Sequence, residues 1–209
     1  MIEMAENLIQ LLVLIFCFGM TCYQFTRRSS KVWLLLSLYY LTMLMGQLSW
    51  VLMLVLLHRS AMLDYVSEST WFAAYLFLFL LARHLLPEGA VPTRSAALWI
   101  GPVFTACMAV FYMQWGKIMS NISTAIAMGL ILQNVTRGLL LTRGSSARQY
   151  AVRRGFLAIL SICIAEYALW TASCFWSGET FANPYYWLDL LLTISMLFLF
   201  IAVKGAEAG

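Results

Sequence analysis

Hydrophobic residues run along this chain in seven stretches of roughly 20 residues or more, each long enough to cross a bilayer, with short polar breaks between them. Runs this apolar predict α-helices, because backbone polar groups in hydrocarbon have to pair within their own segment. The pattern places helix 1 at about 6–26, helix 2 at 32–57, helix 3 at 66–86 and helix 4 at 96–115. Helix 5 follows at about 118–141, helix 6 at 150–176 and helix 7 at 184–204. Pro87-Glu88-Gly89 and Pro92 break the chain between helices 3 and 4. Only Gln114-Trp115-Gly116-Lys117 joins helices 4 and 5, which predicts a tight hairpin. Asn183-Pro184 opens helix 7, with proline in the first turn, where its missing N–H costs nothing. The expected fold class is an all-α membrane protein in which residues 1–209 form a single seven-helix transmembrane domain.

Charge then orients the bundle. Eleven of the 13 basic residues fall at alternate junctions: Arg27, Arg28 and Lys31; Arg83 and Arg94; Arg137, Arg143, Arg148, Arg153 and Arg154; then Lys204. Only Arg59 and Lys117 fall on the other side. Basic residues are retained on the cytoplasmic face, so the N-terminus is expected outside and the C-terminus inside, in the plasma (inner) membrane. Composition excludes a soluble globular domain: 63% of residues are hydrophobic and 11% charged, with a mean hydropathy of +0.83. About a quarter would be charged in a soluble domain. Breaks of about ten residues at most leave no room for a soluble catalytic or DNA-binding unit. The net charge of +4 therefore reads as orientation and contact with anionic membrane lipids, and no nucleic-acid partner is expected. Met1 to Asn7 carries Glu3 and Glu6 and no basic residue, unlike a cleaved signal peptide, so helix 1 is expected to stay in the mature protein.

Two acids fall inside the spans, Glu166 near the middle of helix 6 and Asp189 about one and a half turns into helix 7. An ionisable group at such a depth is costly unless it faces the bundle interior and is paired, and no lysine or arginine lies at either level. Three uses fit: binding a cationic or hydroxyl-rich ligand, relaying a proton, or joining helices by a neutral hydrogen bond. Tryptophans crowd the outer half, at Trp50, Trp71, Trp115, Trp170, Trp176 and Trp187. An interfacial belt explains Trp115 and Trp176, together with Tyr185 and Tyr186. Trp50 and Trp170 sit deeper. Glu166 and Trp170 share a face of helix 6 at i and i+4, as Gln47 and Trp50 do on helix 2 at i and i+3. Gln47, Trp50, Glu68, Trp71, Asn121, Glu166, Trp170 and Asp189 are thus the candidate lining of one outward-opening small-molecule pocket.

Other signals exclude. His58 and His84 lie at opposite ends of their helices, too far apart to share a metal or haem. No lysine occupies the middle of helix 7 for a retinal Schiff base, and no Gly-x-Ser-x-Gly or His-Glu-x-x-His motif occurs. The five cysteines form no Cys-x-x-Cys pair and read as small hydrophobes. No enzyme activity, cofactor or metal is expected. Arg143, Arg148, Arg153 and Arg154, on the loop between helices 5 and 6, are the candidate contact for lipid headgroups or an intracellular signalling partner. Ala168 and Ala172 form a small-xxx-small face suited to a close helix contact or a homo-oligomer seam.

Trp71 with its aromatic-rich helix 3, the Pro87–Pro92 break and the short hairpin at Gln114–Lys117 carry a resemblance. The chain resembles the seven-helix sensor modules at the N-termini of bacterial histidine kinases and related regulators. Such modules run on into a signalling domain, whereas five residues follow Lys204 here. The resemblance therefore implies a receptor-like sensor that stands alone as a subunit or works differently. The alternative is a small-solute or proton-coupled transporter. Thr26-Arg27-Arg28-Ser29-Ser30 is echoed by Thr142-Arg143-Gly144-Ser145-Ser146, and Trp71 by Trp187, at the same offset. That echo suggests a parallel three-plus-one-plus-three repeat with helix 4 as the linker, a plan found in transporters. An accessory subunit of a larger membrane complex is the third expectation.

Overall fold

A computed structural model describes residues 2–57, 65–87, 95–144 and 146–208. Within them the chain folds into seven α-helices and one short 3₁₀ turn: α1 (Ile2–Arg28), α2 (Lys31–Leu57), α3 (Tyr65–His84), the 3₁₀ turn Ala96–Trp99, α4 (Ile100–Tyr112), α5 (Ile118–Leu141), α6 (Ala147–Phe175) and α7 (Pro184–Ala208). Five of these, α1, α2, α5, α6 and α7, are long and apolar enough to cross a membrane. The chain is a multi-span, all-α integral membrane protein. α4 is short: its 13 residues reach about 20 Å at 1.5 Å per residue, against a hydrocarbon core of about 30 Å. α3 starts at Tyr65 and carries Ser67, Glu68, Ser69 and Thr70 in its first turns.

Local chemistry sets the ends. The Ser146 hydroxyl accepts from the Gln149 N–H, so α6 starts at Ala147, before the expected 150. The Asn183 side-chain oxygen accepts from the Tyr185 N–H, and Pro184 takes the first position of α7. α4 stops at Tyr112 rather than 115, and Gly116 turns the chain with φ +75, a left-handed conformation that glycine adopts without penalty. α1 begins at Ile2, earlier than the apolar run suggests, and its first turns are not a solvated tail.

The helices follow one another up and down. Neighbours in sequence pack together along α1–α2–α3, α3 meets α5, α5 meets α6, α6 meets α7, and α7 closes on α1. α4 stands outside this ring of six and packs mainly on α5. Gly101 lies against Leu132 and Gly129 against Thr105, which lets the α4 and α5 backbones approach closely. The middle of the ring is filled by large side chains with no exposed surface, among them Trp33, Leu36, Tyr39, Tyr40, Leu78, Phe156 and Met196. The Tyr40 hydroxyl donates to the Met196 carbonyl at 2.6 Å and ties α2 to α7. The ends of α1, α3, α5 and α7 and the starts of α2 and α6 bring the basic residues to one end of the bundle, where Arg28 donates to the Glu207 carbonyl at 3.0 Å.

Candidate functional site

The other end of the bundle carries buried polar side chains. Glu3, Glu6, Asn7 and Gln10 are three or four residues apart, so they line one face of α1. That face turns into the ring, and Glu6, Asn7 and Gln10 are buried, as are Gln47 on α2, Glu166 on α6 and Asp189 on α7. At 1.5 Å per residue, Asp189 lies about 8 Å and Glu166 about 14 Å inside the ends of their helices. Such groups need partners within the protein. Gln47 Nε2 donates to Asn7 Oδ1 at 2.7 Å and to the Asn7 carbonyl at 3.4 Å. Gln10 Nε2 donates to Asp189 Oδ1 at 3.2 Å. Asn7 Nδ2 in turn donates to the Glu3 carbonyl at 2.6 Å and approaches Glu6 Oε1 at 3.4 Å. α1 is thereby joined to α2 on one side and to α7 on the other. Tyr75 on α3 borders the same cavity as Glu166.

These side chains surround a cavity of about 260 Å³. Its polar lining is Asn7, Gln10, Gln47, Ser173, Glu166 and Asp189, and its aromatic lining is Trp50, Trp71, Tyr75, Trp170 and Tyr185. Trp50 and Trp71 pair across α2 and α3 with centroids 6.0 Å apart, and Tyr75 meets Trp170 edge-on at 6.3 Å across α3 and α6. One helical turn deeper the ring is closed. Leu14, Tyr39, Tyr40, Leu78, Ile162 and Met196, below Gln10, Met43, Tyr75, Glu166 and Leu192 on the same helices, have no exposed surface. The cavity is therefore a one-sided recess and not a passage.

Of the eight side chains expected to line the pocket, the structure brings six to this cavity: Gln47, Trp50, Trp71, Glu166, Trp170 and Asp189. Asn121 is a correction. Its Nδ2 donates to the Tyr112 carbonyl at 2.7 Å and the Trp115 carbonyl at 3.0 Å, so it closes the α4–α5 hairpin outside the ring. Glu68 is a second correction: it binds Lys117 at 3.0 Å across α3 and α5, away from the recess. The tryptophan matched by the internal echo also differs. Trp71 lines the recess, while Trp187 is exposed and donates to the Phe181 carbonyl. Ala168 and Ala172 line an apolar groove bordered by α4, α5, α6 and α7, and Ala172 is buried. His58, Arg59, Glu88, Gly89, Pro92, Arg94 and Ser145 lie outside the described residues.

The basic cluster is spread out. Arg143 is exposed beyond α5, and Arg148, Arg153 and Arg154 are exposed around the first two turns of α6. Arg154 lies over the Phe198 ring at 5.9 Å, and Arg148 borders a separate cavity at the basic end with Arg83, His84 and Glu207. Sequence reasoning missed the contribution of α1, namely Asn7, Gln10 and, beside them, Glu6. Their spacing held the signal: Glu3, Asn7, Gln10, Leu14, Cys17 and Thr21 form one continuous stripe at intervals of three or four. Comparison with known protein families, with curated proteins and with solved structures returns no match, so the functional argument stands on the chain's own residues.

Proposed function

We propose that the chain is a receptor-like, non-enzymatic membrane sensor that binds a small molecule in this recess. The observation that carries the reading is the convergence of polar and aromatic side chains from five helices, α1, α2, α3, α6 and α7, on one closed-ended cavity. A largely apolar recess with a few convergent polar groups is the usual form of a small-molecule site. The distribution of basic residues supports an N-terminus outside and a C-terminus inside, and hence a mouth on the outer face of what we take to be the plasma membrane. A ligand held between α1, α6 and α7 biases their packing if it binds two packings unequally. α6 runs from the recess to Arg148, Arg153 and Arg154, and their exposure at its other end supports contact with an intracellular partner or lipid headgroups.

One observation favours the transporter reading as a second. The ring order α1, α2, α3, α5, α6, α7, with α4 outside, is the arrangement a parallel three-plus-one-plus-three repeat would take about the bundle axis. Below the recess, Tyr39 Oη and Trp33 Nε1 are also buried without a partner among the described residues, so a second packing that satisfies them is a rational target. The deciding experiment pairs a thermal-shift screen of purified protein against amines, amino acids, sugars and lipids with flux of each hit in sealed vesicles. A hit that stabilises the wild type but not Trp170→Leu, and does not cross the vesicle, supports the sensor. Transport of the hit replaces it with the second reading. Absence of any hit leaves the accessory-subunit reading.

A further inference from the structure

The recess has a pronounced charge bias. Its lining includes two carboxylic side chains, Glu166 and Asp189, and among the described residues no lysine, arginine or histidine. A third, Glu6, is 3% exposed and lies beside the recess, its Oε1 3.4 Å from Nδ2 of the lining residue Asn7. Its Oε2 has no hydrogen-bond partner among the described residues. The nearest described cation at this end of the bundle, Lys117, is held by Glu68 outside the ring. Three acids on three different helices thus share one buried region, and one buried carboxyl oxygen is unmatched by any donor.

The walls supply the second half of the argument. Trp50 and Trp71 stand together on the α2–α3 side, and Tyr75 and Trp170 stand edge-to-face on the α3–α6 side. Ring faces attract a cation through their quadrupoles, and several rings around one volume are the arrangement that holds alkylated ammonium groups. Among the described residues no three His, Cys, Asp or Glu side chains are arranged to hold a metal ion. A recess of about 260 Å³ accommodates a small organic molecule with room for its hydrocarbon as well as its charge.

We infer that the ligand of this recess is a small organic cation, an alkylammonium or arylalkylammonium ion, whose charged head lies against Glu166 and Asp189 and whose carbon groups lie against the tryptophans. This inference rests on the sensor reading and names the class of molecule sensed. An anion is disfavoured by the carboxyls, and a neutral molecule of the same shape leaves Asp189 and Glu166 without a cationic partner.

The test uses the full chain in nanodiscs and follows tryptophan fluorescence, since three of the eight tryptophans border the recess. The probes are choline, tetramethylammonium and phenethylammonium, each titrated beside an uncharged isostere in which carbon or oxygen replaces the charged nitrogen. At least one cation is expected to bind saturably and at least tenfold more tightly than its isostere. Glu166→Gln and Asp189→Asn are each expected to reduce that preference by tenfold or more, and Trp170→Phe to preserve it where Trp170→Leu does not. Both acid variants are checked for an unchanged monomeric elution profile, and either one that folds is sufficient. Equal binding of cation and isostere, or a preference unchanged by a folded acid variant, overturns the cationic class. If no cation binds while the broader screen yields a neutral or anionic molecule lost in Trp170→Leu, the class is overturned and the sensor reading stands. No binding of any probe overturns both.

Discussion

Replacement of Gln47 by leucine probes the joint between α1 and α2. Gln47 is 4% exposed and its amide donates to Asn7 Oδ1 at 2.7 Å. Leucine has a similar volume, so the loss is chiefly that bond and the stranding of the Asn7 oxygen. Hydrogen bonds between helices in a membrane contribute about 0.6 kcal/mol on average and up to about 1.7. A buried acceptor left without a donor costs about 1–3 kcal/mol. The 2.7 Å length and deep burial place this pair at the upper end, so Gln47→Leu is expected to destabilise the fold by about 1–2 kcal/mol. Asn7→Leu costs at least as much, because Asn7 Nδ2 also loses its bond to the Glu3 carbonyl. The assay is reversible unfolding in bicelles for wild type, both single variants and the double variant. The double variant is expected to fall short of the summed losses by about 0.6–1.7 kcal/mol. Additivity within about 0.3 kcal/mol would refute the claim that this bond joins the two helices.

Other substitutions test separate contacts. A methyl group at Gly46 would lie 2.6 Å from Trp71 Nε1 and 2.7 Å from Thr70 Oγ1, so Gly46→Ala is expected to displace the Trp71 ring. The readout is a shifted tryptophan emission spectrum with weaker probe binding; an unaltered spectrum contradicts it. Gly138→Ala sets a methyl group into the fully buried Phe156 ring and is expected to cost about 1–3 kcal/mol through overpacking, seen as a lower melting temperature. Glu68→Gln removes an ion pair whose side chains are 38% and 35% exposed, so a loss of under about 1 kcal/mol is expected in the same unfolding assay. A larger loss would return Glu68 to a structural role in the bundle interior.

Much of the architecture was legible because a bilayer leaves few alternatives: long apolar runs become helices, and their breaks are turns. Helix 5 was read at 118–141 for this reason, and α5 occupies Ile118–Leu141. The six recess residues were legible because polar and aromatic side chains deep in such runs have to face inward. The α1 face was not, because the acidic residues of Met1–Asn7 look like a solvated tail when counted by composition. Their helical spacing with Gln10, Leu14 and Cys17 is what assigns them to the core. Asn121 was misplaced because an amide in the first turn of a helix can serve a cavity or a hairpin equally well, and only the position of the Tyr112 and Trp115 carbonyls decides. The exclusion of α4 from the ring has one sequence signal, the echo of Thr26–Ser30 in Thr142–Ser146 that leaves helix 4 as the linker; its composition carries none, since an apolar surface faces lipid and protein alike.

We propose that the recess at the N-terminal end of the bundle opens to the outside. Ser173 is exposed and borders that recess, so Ser173→Cys places a thiol at its mouth. The direct measurement is labelling of this variant, in a background with the five native cysteines replaced, by a charged, membrane-impermeant thiol reagent added to intact cells. The recess as described predicts labelling from outside without permeabilisation, slowed by a probe that binds among Trp71, Glu166 and Trp170. Labelling only after the cells are opened would contradict it.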